Sequence, residues 1–276
     1  MPEDLIDQIP RVKEAARALG LHQIEMNGYE ADDIIGTLAS QSEEAGFATT
    51  IVSSDKDLMQ LVRERVKMFD PMKDLVIGED EVMDKFGVAP DKVVDVQSLA
   101  GDSTDNVPGV PGIGVKTAAL LINEYGDLDT LLDRAGEIKQ NKRRENLIEF
   151  ADLARVSRDL VRLKDDVETD HEIADFALKD PDPATVVEFL QAMEFRTLTQ
   201  RVESRFVAEG LMEQDDTAAG APIEAPAHLV QRVCGTGMEI LAQAADTLTL
   251  GRAELVLCVG TESMSRNPVA AYTHRN

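Results

Sequence analysis

The stretch ATTIVSSDKDLMQL, residues 48–61, decides the fold class. Its first half is β-branched and apolar, the composition of a strand buried on both faces. Its second half opens with Asp55 and Asp57 and becomes apolar again, which predicts a short helix over about 56–63. A buried strand running straight into a helix is the unit of an α/β sheet. Such sheets place their ligands at the carboxyl ends of the strands. Asp55 and Asp57 lie at that end and can project into one crevice. A plainer reading exists as well, because Asp55 suits a helix N-cap.

Working outward, residues 3–19 carry Leu5, Ile9, Val12, Ala16 and Leu19 at helical spacing, with Gly20 as a stop. Residues 31–45 predict a second helix with Ile34, Ile35, Leu38 and Ala39 on one face, ended by Gly46. VKMFDP and DLVIG predict two short strands joined by a turn at Asp70–Lys73. From Glu79 the signals are helical, near 79–86, 90–100, 115–124, 127–133, 141–160 and 183–205. An α/β half is followed by a helical half.

The 276 residues include 52 acidic and 28 basic side chains, a net charge of −24. That balance repels phosphate and excludes a protein that coats DNA with basic charge. A hydrophobic share of 43% supplies a core. No apolar run approaches the ~20 residues that span a bilayer. The acidic, amphipathic start has neither the basic nor the apolar region of a signal peptide. Cys234 and Cys258 are the only cysteines, too few for a disulfide framework, so a reducing cytoplasm is expected. Acidic surface is usually solvation alone. The question is whether some carboxylates are placed.

Three groups stand at predicted element boundaries. Glu30, Asp32 and Asp33 occur in GYEADD at the entry to the second helix. Helix-dipole complementarity alone would account for them, at ~0.3–1 kcal/mol each. Asp55 and Asp57 form the second group. Asp102 and Asp105 in GDSTDN form the third, and a spacing of three puts both on one side of a helical turn. All seven offer oxygen, with no histidine or cysteine among them. That donor set suits Mg²⁺ or Mn²⁺ and argues against zinc. Like charges this close repel unless cations neutralise them. Two divalent ions ~3.5–4 Å apart can activate water and stabilise a leaving oxygen in phosphodiester cleavage.

The segment NVPGVPGIGVKTA (106–118) follows directly. Gly109, Gly112 and Gly114, with Ile113 between them, make a tight turn with bare amides, and a helix starts at Val115 with Lys116 and Thr117 in its first turn. Amides at a helix N-terminus receive phosphate. A helix, glycine hairpin and helix can thus hold a nucleic-acid backbone without reading bases. An ordinary helix corner is the bland alternative.

GYEADD, SSDKDLMQL and LAGDSTDNVPGVPGIGVKTA, in this order, resemble the 5′ nuclease family of flap endonucleases and 5′-3′ exonucleases, in the form found in bacterial DNA polymerase I. The resemblance covers residues 1–206. It implies a partial PIN-like parallel sheet followed by a mostly helical helix–hairpin–helix region. It also implies DNA as partner, at 5′ ends, flaps and nicks, and two Mg²⁺ or Mn²⁺ ions. By it, Glu30, Asp32, Asp33, Asp55, Asp57, Asp102 and Asp105 are metal-site carboxylates, with Asp55 and Asp57 the strongest catalytic candidates. Gly109, Gly112, Ile113, Gly114, Lys116 and Thr117 fall on the DNA-backbone hairpin, where members also bind K⁺ through carbonyls. Family members carry further sequence ahead of the point matching Met1, including a first strand and two more metal-site aspartates. Met1 is therefore expected to be an internal position of a longer protein. The competing reading is a module that grips DNA without cutting it.

Composition changes near residue 206. Every lysine and phenylalanine lies at or before Phe206, and both cysteines lie after it. Residues 207–276 hold nine acidic and four basic side chains, leaving a charge of −19 on the first 206. The Ala-, Pro- and Gly-rich stretch 207–227 predicts a linker. In 228–276, RVCGTGMEILAQAAD and VGTESMSRNP resemble the acyl-accepting segment of thiolases. That resemblance implies a short βαβ piece with Cys234 as nucleophile at a helix start. It covers too little of a thiolase to predict activity, and it suggests a fused reading frame. The expected divisions are 1–95, 96–206, 207–227 and 228–276.

Overall fold

The structure is a computed structural model; it describes residues 8–213 and the backbone of two strands at 255–259 and 269–273. Helix α1 (Ile9–Ala18) has Pro10 in its first turn and leads through Gly20 to strand β1 (His22–Ile24). Helix α2 (Ala31–Glu44) buries Ile34, Ile35, Leu38 and Ala39, the face its spacing predicts. Strand β2 (Thr49–Val52) follows, with Ile51 and Val52 fully buried. It passes into a 3₁₀ turn at Asp57–Leu61. Strands β3 (Val66–Asp70) and β4 (Leu75–Ile77) pair antiparallel, with Asp70 opposite Leu75. Buried Asp70 closes that turn by accepting from the Met72 amide at 3.0 Å and from Lys73 Nζ at 2.7 Å.

The helical half contains α3 (Glu79–Phe86), α4 (Val93–Ala100), α5 (Val115–Tyr125), α6 (Leu128–Asp133), α7 (Asn141–Glu149), α8 (Ala151–Val161), α9 (Pro183–Ala192) and α10 (Arg196–Ala208). Two long predicted helices are each two shorter ones. The 141–160 segment breaks at Phe150, whose backbone leaves helical geometry (φ −105°, ψ 20°). The 183–205 segment breaks at Met193–Phe195, where Glu194 takes a positive φ of 57° and turns the chain. Neither break is marked by glycine or proline, so periodicity ran through both.

Strands β5 (Leu255–Val259) and β6 (Val269–Thr273) complete the sheet, in the order β1-β6-β5-β2-β3-β4. The sheet is mixed rather than parallel throughout: β2 runs parallel to β3 and β5, and the remaining pairs are antiparallel. The described strands of the thiolase-like piece join the sheet of the first half. One hydrophobic cluster runs from Ile51 and Met68 in the sheet through Leu58 and Leu99 to Leu131 and Leu147 among the helices. A smaller cluster of Val186, Val187, Leu190 and Phe206 ties α9 to α10, with Leu19 packed against it.

Candidate functional site

At the carboxyl end of β2 the chain makes two successive side-chain-closed turns. Ser53 Oγ accepts from the Asp55 amide at 3.0 Å, and Asp55 Oδ1 accepts from the Asp57 amide at 2.9 Å. Asp55 is not the N-cap, which is Lys56; its carboxylate closes the turn one residue earlier through the Asp57 amide and keeps a second oxygen free of that bond. Two other acidic segments arrive at this end from distant sequence. The first turn of α2 brings Asp32, and α4 ends just before Asp102.

The seven carboxylates come together unequally. Burial pushes the Asp32 carboxyl up to about 7, helped by the charges of Asp55, Asp57, Glu30 and Asp33. Burial also raises Asp57; its hydrogen bond from Gln97 opposes this, while Asp55 and Asp105 add to it. Asp33 is partly committed to the fold, accepting from the Lys164 amide at 2.9 Å. The backbone oxygen of Asp33 accepts from Thr37 Oγ1, which in turn receives the Val167 amide, so the segment after α8 is fastened along α2.

Asp102 and Asp105 do not lie on a helical turn. Helix α4 stops at Ala100 because Gly101 adopts φ 70°. Residues 102–107 then form a loop closed by paired backbone bonds between Asp102 and Val107, at 2.9 and 2.8 Å. Gly101 and Gly109 cross back to back at its base. A Cβ on Gly109 would stand 2.5 Å from the Gly101 nitrogen, and one on Gly101 would stand 2.8 Å from the Val107 oxygen. Both glycines also have positive φ, so the loop needs each of them.

Cations flank the acids. Lys56 Nζ donates to Asp102 Oδ2 and lies near Asp57 and Asp105 as well. Burial works against a charged Asp102, but Lys56 and the Thr104 amide hold its carboxyl below the usual range. Lys85 is held below the usual lysine range by burial and by Lys73 and Lys56, while Asp55 and Asp70 act the other way. An acidic centre with a basic margin can hold a cation and a phosphate side by side.

The donor set fits divalent cations in chemistry. The carboxylates converge, burial and then their mutual repulsion raise Asp32 and Asp57, and buried Gln97 Oε1 beside Asp57 has no hydrogen-bond partner among the described residues. No three of these side chains close on one point in this conformation, among the described residues. Lys56 and Gln97 hold Asp102 and Asp57 instead.

The glycine hairpin adjoins this centre. Gly112, Gly114 and Lys116 are exposed and Thr117 is half-buried, with Lys116 and Thr117 in the first turn of α5. Ile113 faces inward, 4% exposed within the core, and its amide donates to the Val110 oxygen at 3.1 Å. Two buried side chains missed by the sequence reading hold the hairpin. Ser157 Oγ accepts from the Gly109 amide at 3.0 Å, and Asn146 Nδ2 donates to the Pro111 oxygen at 2.7 Å. Gln97, also missed, holds Asp57. All three are polar residues inside amphipathic helices, so a polar residue on an otherwise apolar face was the available signal. Cys234, the expected thiolase-like nucleophile, lies outside the described residues.

Residues 1–87 match the family described as 5′-3′ exonuclease, N-terminal resolvase-like domain, and residues 88–184 match its C-terminal SAM fold. A 5′-3′ exonuclease of Aquifex aeolicus is 37% identical over 205 residues, covering 74% of this chain and 70% of the relative. The chain belongs to the 5′-3′ exonuclease family. DNA polymerase I of Rhizobium leguminosarum is 56% identical over 201 residues, covering 73% of this chain and 20% of that protein. The chain thus spans about a fifth of the length of that polymerase. A solved structure described as T5 D15 protein co-crystallized with metal ions aligns with TM-score 0.48 and 20% identity, over 66% of this chain and 61% of that one. Residues 198–276 match the thiolase N-terminal domain. Among the described residues, no helix is long and apolar enough to cross a membrane.

Proposed function

We propose that this chain is a divalent-metal-dependent 5′ nuclease acting on the 5′ ends, flaps and nicks of DNA in the cytoplasm. The observation that carries the reading is the convergence of Asp32, Asp55 and Asp57 with the Asp102–Asp105 loop at the carboxyl end of β2. Asp32, Asp55, Asp57, Asp102 and Asp105 would hold Mg²⁺ or Mn²⁺, with Glu30 and Asp33 at the margin. Bound there, two such ions supply a Lewis acid that activates water and stabilises the leaving oxygen. The chain's own residues do the rest. Asp55 Oδ1 is held by the Asp57 amide and Asp57 Oδ1 by Gln97 Nε2, so these oxygens are in place before substrate arrives. Lys85 offers positive charge near Asp55 to a phosphate. Gly112, Gly114, Lys116 and Thr117 present backbone and charge to the DNA strand, and the hairpin carbonyls offer oxygens to K⁺.

The first test is cleavage of 5′-flap DNA with Mg²⁺ or Mn²⁺, beside an Asp55→Ala control. Cleavage that the control lacks supports the nuclease. Binding without cleavage supports the second reading, a DNA-gripping module. That reading is favoured by one feature, the absence of a closed three-carboxylate ligand set among the described residues. DNA neither bound nor cut removes both. Acyl transfer through Cys234 is the third reading, and failure to cleave acetoacetyl-CoA is the expected result.

A further inference from the structure

The nuclease sheet is not built from nuclease sequence alone. Strands β1, β2, β3 and β4 lie within the stretch matching the exonuclease N-terminal domain, whereas β5 and β6 lie within the stretch matching the thiolase. These two strands are inserted between β1 and β2, not added at an outer edge. β5 runs parallel to β2, pairing Thr49 with Leu255 through Val52 with Cys258. β6 returns antiparallel to β5 and pairs with β1, His22 opposite Ala271. Among the described residues β1 and β2 share no ladder, so the ladder from β1 to the rest of the sheet passes through β6 and β5.

We infer that the tail is an intramolecular strand donor, with residues 255–259 and 269–273 filling a two-strand slot in the nuclease sheet and holding β1 to β2. Three observations carry this. Ile51 and Val52 are fully buried, and a strand buried in that way needs its amides and carbonyls paired along both edges. The composition of 255–259, LVLCV, has no charge, proline or glycine, as a central strand requires and an exposed edge penalises. The direction of insertion is specific, because a parallel strand against β2 and an antiparallel one against β1 are met together by one returning chain. β6 also lies against the 3₁₀ turn at Ile173–Phe176, which places the tail at the junction of both halves.

The donation has a consequence for the acidic centre. β2 delivers Asp55 and Asp57, so β5 supports the strand on which they depend. Yet 255–259 contains no acidic residue or histidine, so the donor strand completes the sheet without adding a carboxylate to the oxygen donor set. The tail acts on the fold and not on the chemistry.

Hydrogen exchange on the full chain tests this without reference to activity. The amides of 49–52 and 255–259 are expected to be protected together. Leu257→Pro removes an amide from the middle of a central strand. It should speed exchange in 49–52 and 22–24 by about tenfold or more, while α5 stays protected. Ala218→Pro in the predicted linker should change none of these. The proposal is overturned if 255–259 exchanges at the rate of an unstructured peptide in the unaltered chain. It is equally overturned if Leu257→Pro leaves 49–52 unchanged. If that variant loses protection everywhere, the pattern in the unaltered chain decides.

Discussion

Lys56 donates from Nζ to Oδ2 of Asp102, 46 residues further along the chain. This bond joins the turn after β2 to the loop after α4, and it places one positive charge between two acidic groups. An ammonium there does in part what a divalent cation would do. Lys56→Met should therefore destabilise the metal-free chain, by only about 1 kcal/mol because Lys56 is 37% exposed and its charge is screened. Mg²⁺ should recover more stability in the variant than in the parent. Thermal melts with Mg²⁺ and with EDTA measure both gaps, and equal gaps would show that Lys56 and the metal do not share a role.

Asp32 gives the centre a pH dependence. Its carboxyl ionises at about 7 in the fold, against 3.8 ordinarily. Between those values the unfolded chain has released a proton that the folded chain keeps. This contribution to stability is thus full below about 3.8 and is lost as pH rises through about 7. Asp32→Asn should remove that decline, which denaturant midpoints across the interval would reveal. Mg²⁺ affinity should run the opposite way, rising through about pH 7, because the ion competes with the proton. An Asp32→Asn variant whose affinity still rises equally over that range would assign the titration to another group.

The crossing of Gly101 and Gly109 predicts a large local cost. Gly109→Ala places a methyl group against the Gly101 backbone at a φ of 63°, and about 3 kcal/mol of stability should be lost. Gly28→Ala is the control. It has a similar φ of 88° with nothing within 4 Å of its Cβ, so it should cost only about 1–2 kcal/mol. Urea denaturation separates the two. Equal costs would mean that φ alone, and not the close crossing, governs the position.

What was legible in sequence was mostly local. The β2 segment, the buried face of α2 and the β3–β4 turn follow from β-branching, periodicity and turn residues, all short-range signals. The Phe150 and Glu194 breaks were not visible, since neither residue type forces a helix to stop and tertiary packing sets both. The acidic groups were found because carboxylates cluster in sequence. Their hydrogen-bonding partners were not, because Lys56 and Gln97 reach Asp102 and Asp57 across 46 and 40 residues. Strand β1 is three residues long, too short for any alternation to register. The joining of β5 to β2 was least accessible of all: pairing between distant segments leaves no periodic trace in either.

The hairpin makes the last prediction. Lys116 stands exposed in the first turn of α5, where its charge and the helix N-terminus would act together on a phosphate of bound DNA. A charge directed at phosphate reads no bases, so Lys116→Ala should weaken DNA binding equally across sequences. In a chain of net charge −24, each phosphate contact carries a larger share of the attraction than in a basic protein. Removing one contact should reduce the slope of log affinity against log salt by about 0.9. Fluorescence anisotropy over a salt series, on two flaps of unrelated sequence, measures the slope directly. A sequence-dependent loss would move Lys116 from backbone contact to base readout, and an unchanged slope would place the DNA elsewhere on the molecule.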